Sequence, residues 1–196
     1  MRTIDWRPLR QGALVMAAVV ALLWLLEVVD TLTGNALDGF GIRSWELSGL
    51  SGIIFAPLLH LGFGHLAANT VPLFLLGTVI WASGVRQWVV STVISWVTSG
   101  LLAWLLTPIH HLIVGASGIV FGWIVYLVLR GFLSRDWKHL VLGLLVMLGY
   151  GSVLLGGILP LNAGVSWQGH LGGAIGGGFA AYLLHWRASH RSKRVV

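Results

Sequence analysis

The chain has 196 residues, of which 57% are hydrophobic and only 9% charged, with 27 glycines and 11 tryptophans. A soluble domain carries about 25% charged residues, so this composition excludes an ordinary soluble globular protein and points to a membrane, where glycine and interfacial tryptophan are both frequent. The absence of cysteine excludes disulfides, thiol nucleophiles and thiolate metal sites, and the net charge of +6 is laid out as a topology signal, with no nucleic-acid partner implied.

A spanning helix needs about 20 mostly apolar residues. Six apolar runs meet that need, at residues 12–32, 54–82, 88–107, 115–130, 138–157 and 167–186. The predicted fold is therefore an all-α polytopic bundle of six membrane helices. A short arm, 1–11, precedes it, and a basic tail, 187–196, follows and is expected to fray. The first run is longer than the core of a cleaved signal peptide, and no small-residue cleavage site clearly follows it.

Eleven basic residues fall on one side of this layout: Arg2, Arg7, Arg10, Arg86, Arg130, Arg135, Lys138, Arg187, Arg191, Lys193 and Arg194. The other side holds Arg43 alone. By the positive-inside rule both termini are cytoplasmic. The second, fourth and sixth spans then run from outside to inside, and residues near their starts share one depth.

The six carboxylates, Asp5, Glu27, Asp30, Asp38, Glu46 and Asp136, lie in the arm, in loops or near the end of the first span. A proton-relay transporter needs ionisable groups inside the membrane, and an aspartyl intramembrane protease needs two buried carboxylates. Neither pattern is expected from these positions, and no HExxH supplies a zinc site. The polar residues left inside spans are neutral: His60, His65, Asn69, Ser117 and His170. Taken singly, each could be interhelical glue. At a rise of about 1.5 Å per residue, however, Ser117, His170 and His65 come out roughly 20–27 Å above the inner boundary, all in the outer third of a core about 30 Å thick. Asn69 lies one turn deeper than His65 on the same face. Glue residues have no reason to share one layer on three parallel helices.

These residues carry a family resemblance. Gly115-Ala116-Ser117-Gly118 resembles the GxSG motif of rhomboid proteases at the start of the fourth core span. Gly169 to Gly177, GHLGGAIGG, resembles the sixth span, with His170 followed by Gly173 and Gly177. His65-Leu-Ala-Ala-Asn69 resembles the second-span HxxxN segment, and His60 matches an upstream histidine. The resemblance spans about residues 12–186. Two features depart from the family pattern: Arg43 and Trp45 are separated by Ser44, and Phe121 stands where some members have a tyrosine that stacks on the histidine.

The resemblance implies a serine endopeptidase with Ser117 as nucleophile and His170 as base. Since no carboxylate is placed to orient the imidazole, a dyad is expected, its ring held by packing against Phe121. The Ser117 backbone N–H, His65 and Asn69 are the expected oxyanion donors. Gly115, Gly118, Gly173 and Gly177 are expected to let the helices approach, and His60 to support the second span or the first loop. His110 and His111 are placed in an outer loop that dips towards the serine.

The implied substrates are single-span membrane proteins, with water as co-substrate, in the bilayer of a bacterial inner membrane. The site is expected to open to the extracytoplasmic side. No cofactor or metal is expected. A catalytically silent, client-binding relative is the alternative; both Ser117 and His170 are present, which favours the enzyme. A transporter, or a histidine-ligated metal or haem protein, lacks the charged groups or the carboxylate that completes such a site.

Overall fold

A computed structural model describes residues 5–160 and 164–192. Its described residues are mainly helical, with one antiparallel pair of two-residue strands brought together from distant parts of the chain. Helix α1 runs Arg7–Leu32, the single turn α2 Gly52–Phe55, α3 Phe63–Ala82, α4 Val85–Leu106, α5 Ser117–Ser134, α6 Trp137–Ile158 and α7 Trp167–Ser192. Five of these, α1, α3, α4, α5 and α6, are long and apolar enough to cross a membrane.

Helix α7 is as long as α1 but is diluted by six glycines, Gln168 and His170. Its glycines do the packing instead. The carbonyl of Gly118 sits where a Cβ on Gly173 would be, and the carbonyl of Gly122 where one on Gly177 would be. Gly172 and Gly176 meet α4 at Thr98, Leu102 and Ser95 in the same way. Lipid gives helices no hydrophobic reason to associate, so close backbone approach through small residues supplies the contact. Helix α5 is the most enclosed, with ten of its eighteen residues buried. Trp123, Tyr126, Ile124 and Leu127 on it join Leu66, Ile80 and Met16 in the main core.

Three boundaries differ from the hydropathy reading. The run 54–82 is not one helix: after α2, a 3-10 turn at Ala56–Leu58 leads to extended Leu59 and to Gly62 at φ 93, and α3 starts only at Phe63. Pro57 and Gly62 end helical geometry without lowering the hydropathy. At the other end of the chain, α7 continues through the start of the basic tail to Ser192, while residues 193–196 lie outside the described residues. Residues 7–11 of the arm are likewise helix, since α1 starts at Arg7 with proline in its first turn, a favourable place for it; residues 1–4 lie outside the described residues.

The first loop and the 107–116 segment form one unit. Strand β1 (Ile42–Arg43) pairs antiparallel with β2 (Leu112–Ile113). The fully buried Ser44 hydroxyl donates to the Pro108 carbonyl and accepts from the His111 N–H. Trp45 lies against Trp104, its indole N–H donating to the Thr107 carbonyl. His110, at φ 62, pairs its Nδ1 with the Glu46 carboxylate at 3.0 Å, and that partner holds the Glu46 carboxyl below its ordinary range.

Beyond the end of α1, Asp38 is buried close to Asp30 and Glu27, which are also buried. Burial first, then the charges of Asp30 and Glu27, push the Asp38 carboxyl up to about 6. Its folded-state value therefore exceeds its unfolded one. The stabilising contribution is fully present below about pH 4, and it is lost as pH rises through about 6. Thermal unfolding of the intact protein is expected to occur a few degrees higher at pH 5 than at pH 7.5, with Asp38→Asn flattening that difference. An unchanged pH profile in Asp38→Asn would remove this carboxyl as its source.

Candidate active site

Ser117 is the first residue of α5. Its N–H and that of Gly118 precede the first intrahelical acceptor and point out of the helix end. The approach to it is set by Gly115, whose N–H donates to the Ala56 carbonyl at 2.8 Å. Gly115 sits at φ 118, a conformation side chains rarely adopt, and a Cβ there would lie 2.6 Å from His65 Cε1. The glycine therefore serves both the turn and the seat of the His65 ring.

His170 is in the first turn of α7, where Ser166 caps by accepting from the Gly169 N–H. Its Nε2 stands 2.7 Å from Ser117 Oγ. The ring lies flat on Phe121, centroids 4.0 Å apart and planes at 10°. Its Nδ1 is 3.0 Å from the Gly157 carbonyl oxygen near the end of α6. A carbonyl can only accept, so Nδ1 carries the proton and Nε2 is the free lone pair facing the serine hydroxyl.

The remaining sequence-derived residues have contacts of their own. Asn69 is buried, with Nδ2 donating to the His65 carbonyl one turn back at 3.1 Å. An amide nitrogen has two hydrogens, so that bond leaves one to spare. His60 is almost completely buried; its Nε2 faces the Ala116 N–H at 3.5 Å and its ring stands edge-on to His65 at 5.1 Å. It thus touches both the residue before Ser117 and the neighbouring histidine. Gly118 and Gly173 lie at the α5–α7 crossing, as does Gly177 one turn on. His110 and His111 stay in the loop before β2, bonded to Glu46 and to loop backbone.

Sequence reasoning missed three features. The Gly157 carbonyl has no side-chain signature beyond a glycine pair close to a helix end. Gly122 could have been found from its GxxxG spacing with Gly118. Ser44 offers no sequence signal of its role. Among the described residues no group of three or more histidines and carboxylates is placed to hold a metal ion.

Comparison with known proteins gives a match to the Rhomboid domain model over residues 45–187. An uncharacterized protein of Mycobacterium tuberculosis (strain ATCC 25618 / H37Rv) is 44% identical over 182 residues, covering 88% of this chain and 75% of the relative. Rhomboid protease GluP of Bacillus subtilis (strain 168) is 28% identical over 184 residues, covering 87% of this chain and 34% of that protein. The putative rhomboid protease YdcA of the same strain is 28% identical over 189 residues, covering 89% and 88%.

Proposed function

Because this chain belongs to the rhomboid family, we propose that it is an intramembrane serine endopeptidase that hydrolyses peptide bonds in or near the transmembrane segments of single-span membrane proteins. The observation that carries this reading is the 2.7 Å contact between Ser117 Oγ and His170 Nε2, made between two glycine-packed helices inside the matched region.

In the proposed reaction His170 Nε2 takes the hydroxyl proton as Ser117 Oγ attacks the scissile carbonyl. The resulting oxyanion is met by the Ser117 backbone N–H at the start of α5, with the His65 ring and the spare Asn69 amide hydrogen as further donors. Each such donor is worth about 10²–10³ in turnover. His170 then gives its proton to the leaving amine, and water, activated by the same nitrogen, releases the acyl group. Substrate must be extended to expose its carbonyls, so helices that unwind easily are the expected clients. Their entry is lateral, past the fifth span.

The proposed topology has six spans, α7 being the sixth, with both termini cytoplasmic. The basic ends of the helices, at Arg7, Arg86, Arg130, Arg135 and Arg187, support it. The site then opens to the extracytoplasmic face of a bacterial inner membrane, where water reaches it.

The test is labelling of the purified protein with a fluorophosphonate, alongside cleavage of a panel of single-span substrates. Both activities are expected in the intact chain and neither in Ser117→Ala. Labelling that survives in Ser117→Ala, or an intact chain that neither labels nor cleaves, sinks the proposal; the second outcome favours a client-binding relative.

A further inference from the structure

Helix α6 ends at Ile158, and Leu159 is already extended. The last four carbonyls of a helix have no intrahelical N–H to accept from, so the Gly157 oxygen is free. It faces His170 Nδ1 at 3.0 Å. The absence of a side chain at 157 makes that approach possible: a Cβ there would run into the Phe121 ring edge and lie 3.0 Å from His170 Nδ1. The carbonyl end of a helix carries partial negative charge. The ring also sits in the first turn of α7, whose N-terminal end is positive. The α6 terminus is therefore the local source of negative potential for an imidazolium. Among the described residues no carboxylate is bonded to this ring.

We infer that the Gly157 carbonyl is the third member of a triad, Ser117–His170–Gly157, in which the C-terminal end of α6 does what an aspartate does in soluble serine proteases. The inference rests on the Ser117/His170 reading above. Gly157 is a positioning residue. It holds the proton on Nδ1, keeps Nε2 aimed at Ser117 and stabilises the positive charge that His170 acquires when it takes the serine proton. A consequence is that the base is armed only while the end of α6 is seated against Phe121 and His170.

A side-chain change cannot delete a carbonyl, so the test alters the backbone. Replacing Ile158 by its α-hydroxy acid analogue turns the Gly157 carbonyl from an amide into an ester, a weaker acceptor. The same replacement at Leu155 alters the Leu154 carbonyl and serves as control, since it perturbs the same helix without touching the ring. The ester at 158 is expected to lower kcat and the fluorophosphonate labelling rate about tenfold relative to the control, with KM unchanged and the two proteins unfolding at similar temperatures. Gly157→Ala is expected to lower both rates further. Cleavage and labelling by the 158 ester at the control's rate overturn the inference. Ser117→Ala and His170→Ala are measured in the same assay. If they are inactive while the 158 ester matches its control, only the triad fails; if they remain active, the underlying dyad fails.

Discussion

If the proposed dyad holds, replacing His170 by alanine is expected to lower turnover by about 10⁴–10⁶-fold, as removal of the base does in soluble serine proteases, while the helices remain folded. The ring makes two polar contacts, to Ser117 Oγ and to the Gly157 carbonyl, and one stacking contact, to Phe121. None of the three lies in the glycine seams that join α7 to α4 and α5. Loss of the ring therefore leaves a small polar cavity that water can enter, at a cost of a few degrees in unfolding temperature. In the proposed mechanism Ser117 would then keep its helix-end N–H but have no proton acceptor, so fluorophosphonate labelling should fall together with peptide cleavage. Cleavage within tenfold of the intact chain would remove His170 from the mechanism.

The second large effect is expected at Gly173. A Cβ there would collide with the Gly118 carbonyl oxygen and lie 2.7 Å from its carbon and 3.1 Å from its Cα. All three are backbone atoms, so no side chain can swing aside and the helices must separate. Overpacking of this kind costs about 1–3 kcal/mol. The damage also reaches the site, because Gly118 follows Ser117 and Gly173 lies three residues from His170. A displacement near 1 Å typically costs about 10²-fold in rate. Gly173→Ala should thus lose both unfolding temperature and labelling rate. Gly178→Ala should lose neither, since its Cβ would meet only the side chains of Leu129 and Val125, at 3.3 and 3.7 Å. Equal behaviour of the two variants in thermal scans and labelling would show that the seam does not set the geometry.

Much of this was legible in the sequence because lipid makes the signals strong. An apolar run is a helix, since no other open structure satisfies its backbone there, and a polar residue within one stands out. Ser117, His170, His65 and Asn69 were visible for that reason, and the glycines of α7 through their spacing. The break between α2 and α3 was hidden because Pro57 and Gly62 leave the hydropathy of their neighbours high. The burial of Glu27, Asp30 and Asp38 was hidden for a different reason: closeness to a helix end says nothing of what the loop beyond folds over. The Gly157 contact was least accessible of all. Its acceptor is a main-chain oxygen, and what selects it is the point at which α6 stops.

Helix α6 is held closely near its start, where Gly131 of α5 meets His139 and Leu140, and a Cβ on Gly143 would lie 3.2 Å from the Leu127 carbonyl. Further along, Gly149 and Gly156 face open space. From Gly143 to Gly157 is about 21 Å of helix. Its far end is held through Leu154 and Ile158 in the core and through Gly157 against Phe121 and His170. A swing of about 5° carries the tip by about 1.8 Å over that arm, enough to break a hydrogen bond. A tilt of that size would part the Gly157 carbonyl from the His170 ring, so the placement of the imidazole depends on how firmly Leu154 and Ile158 seat the end of α6.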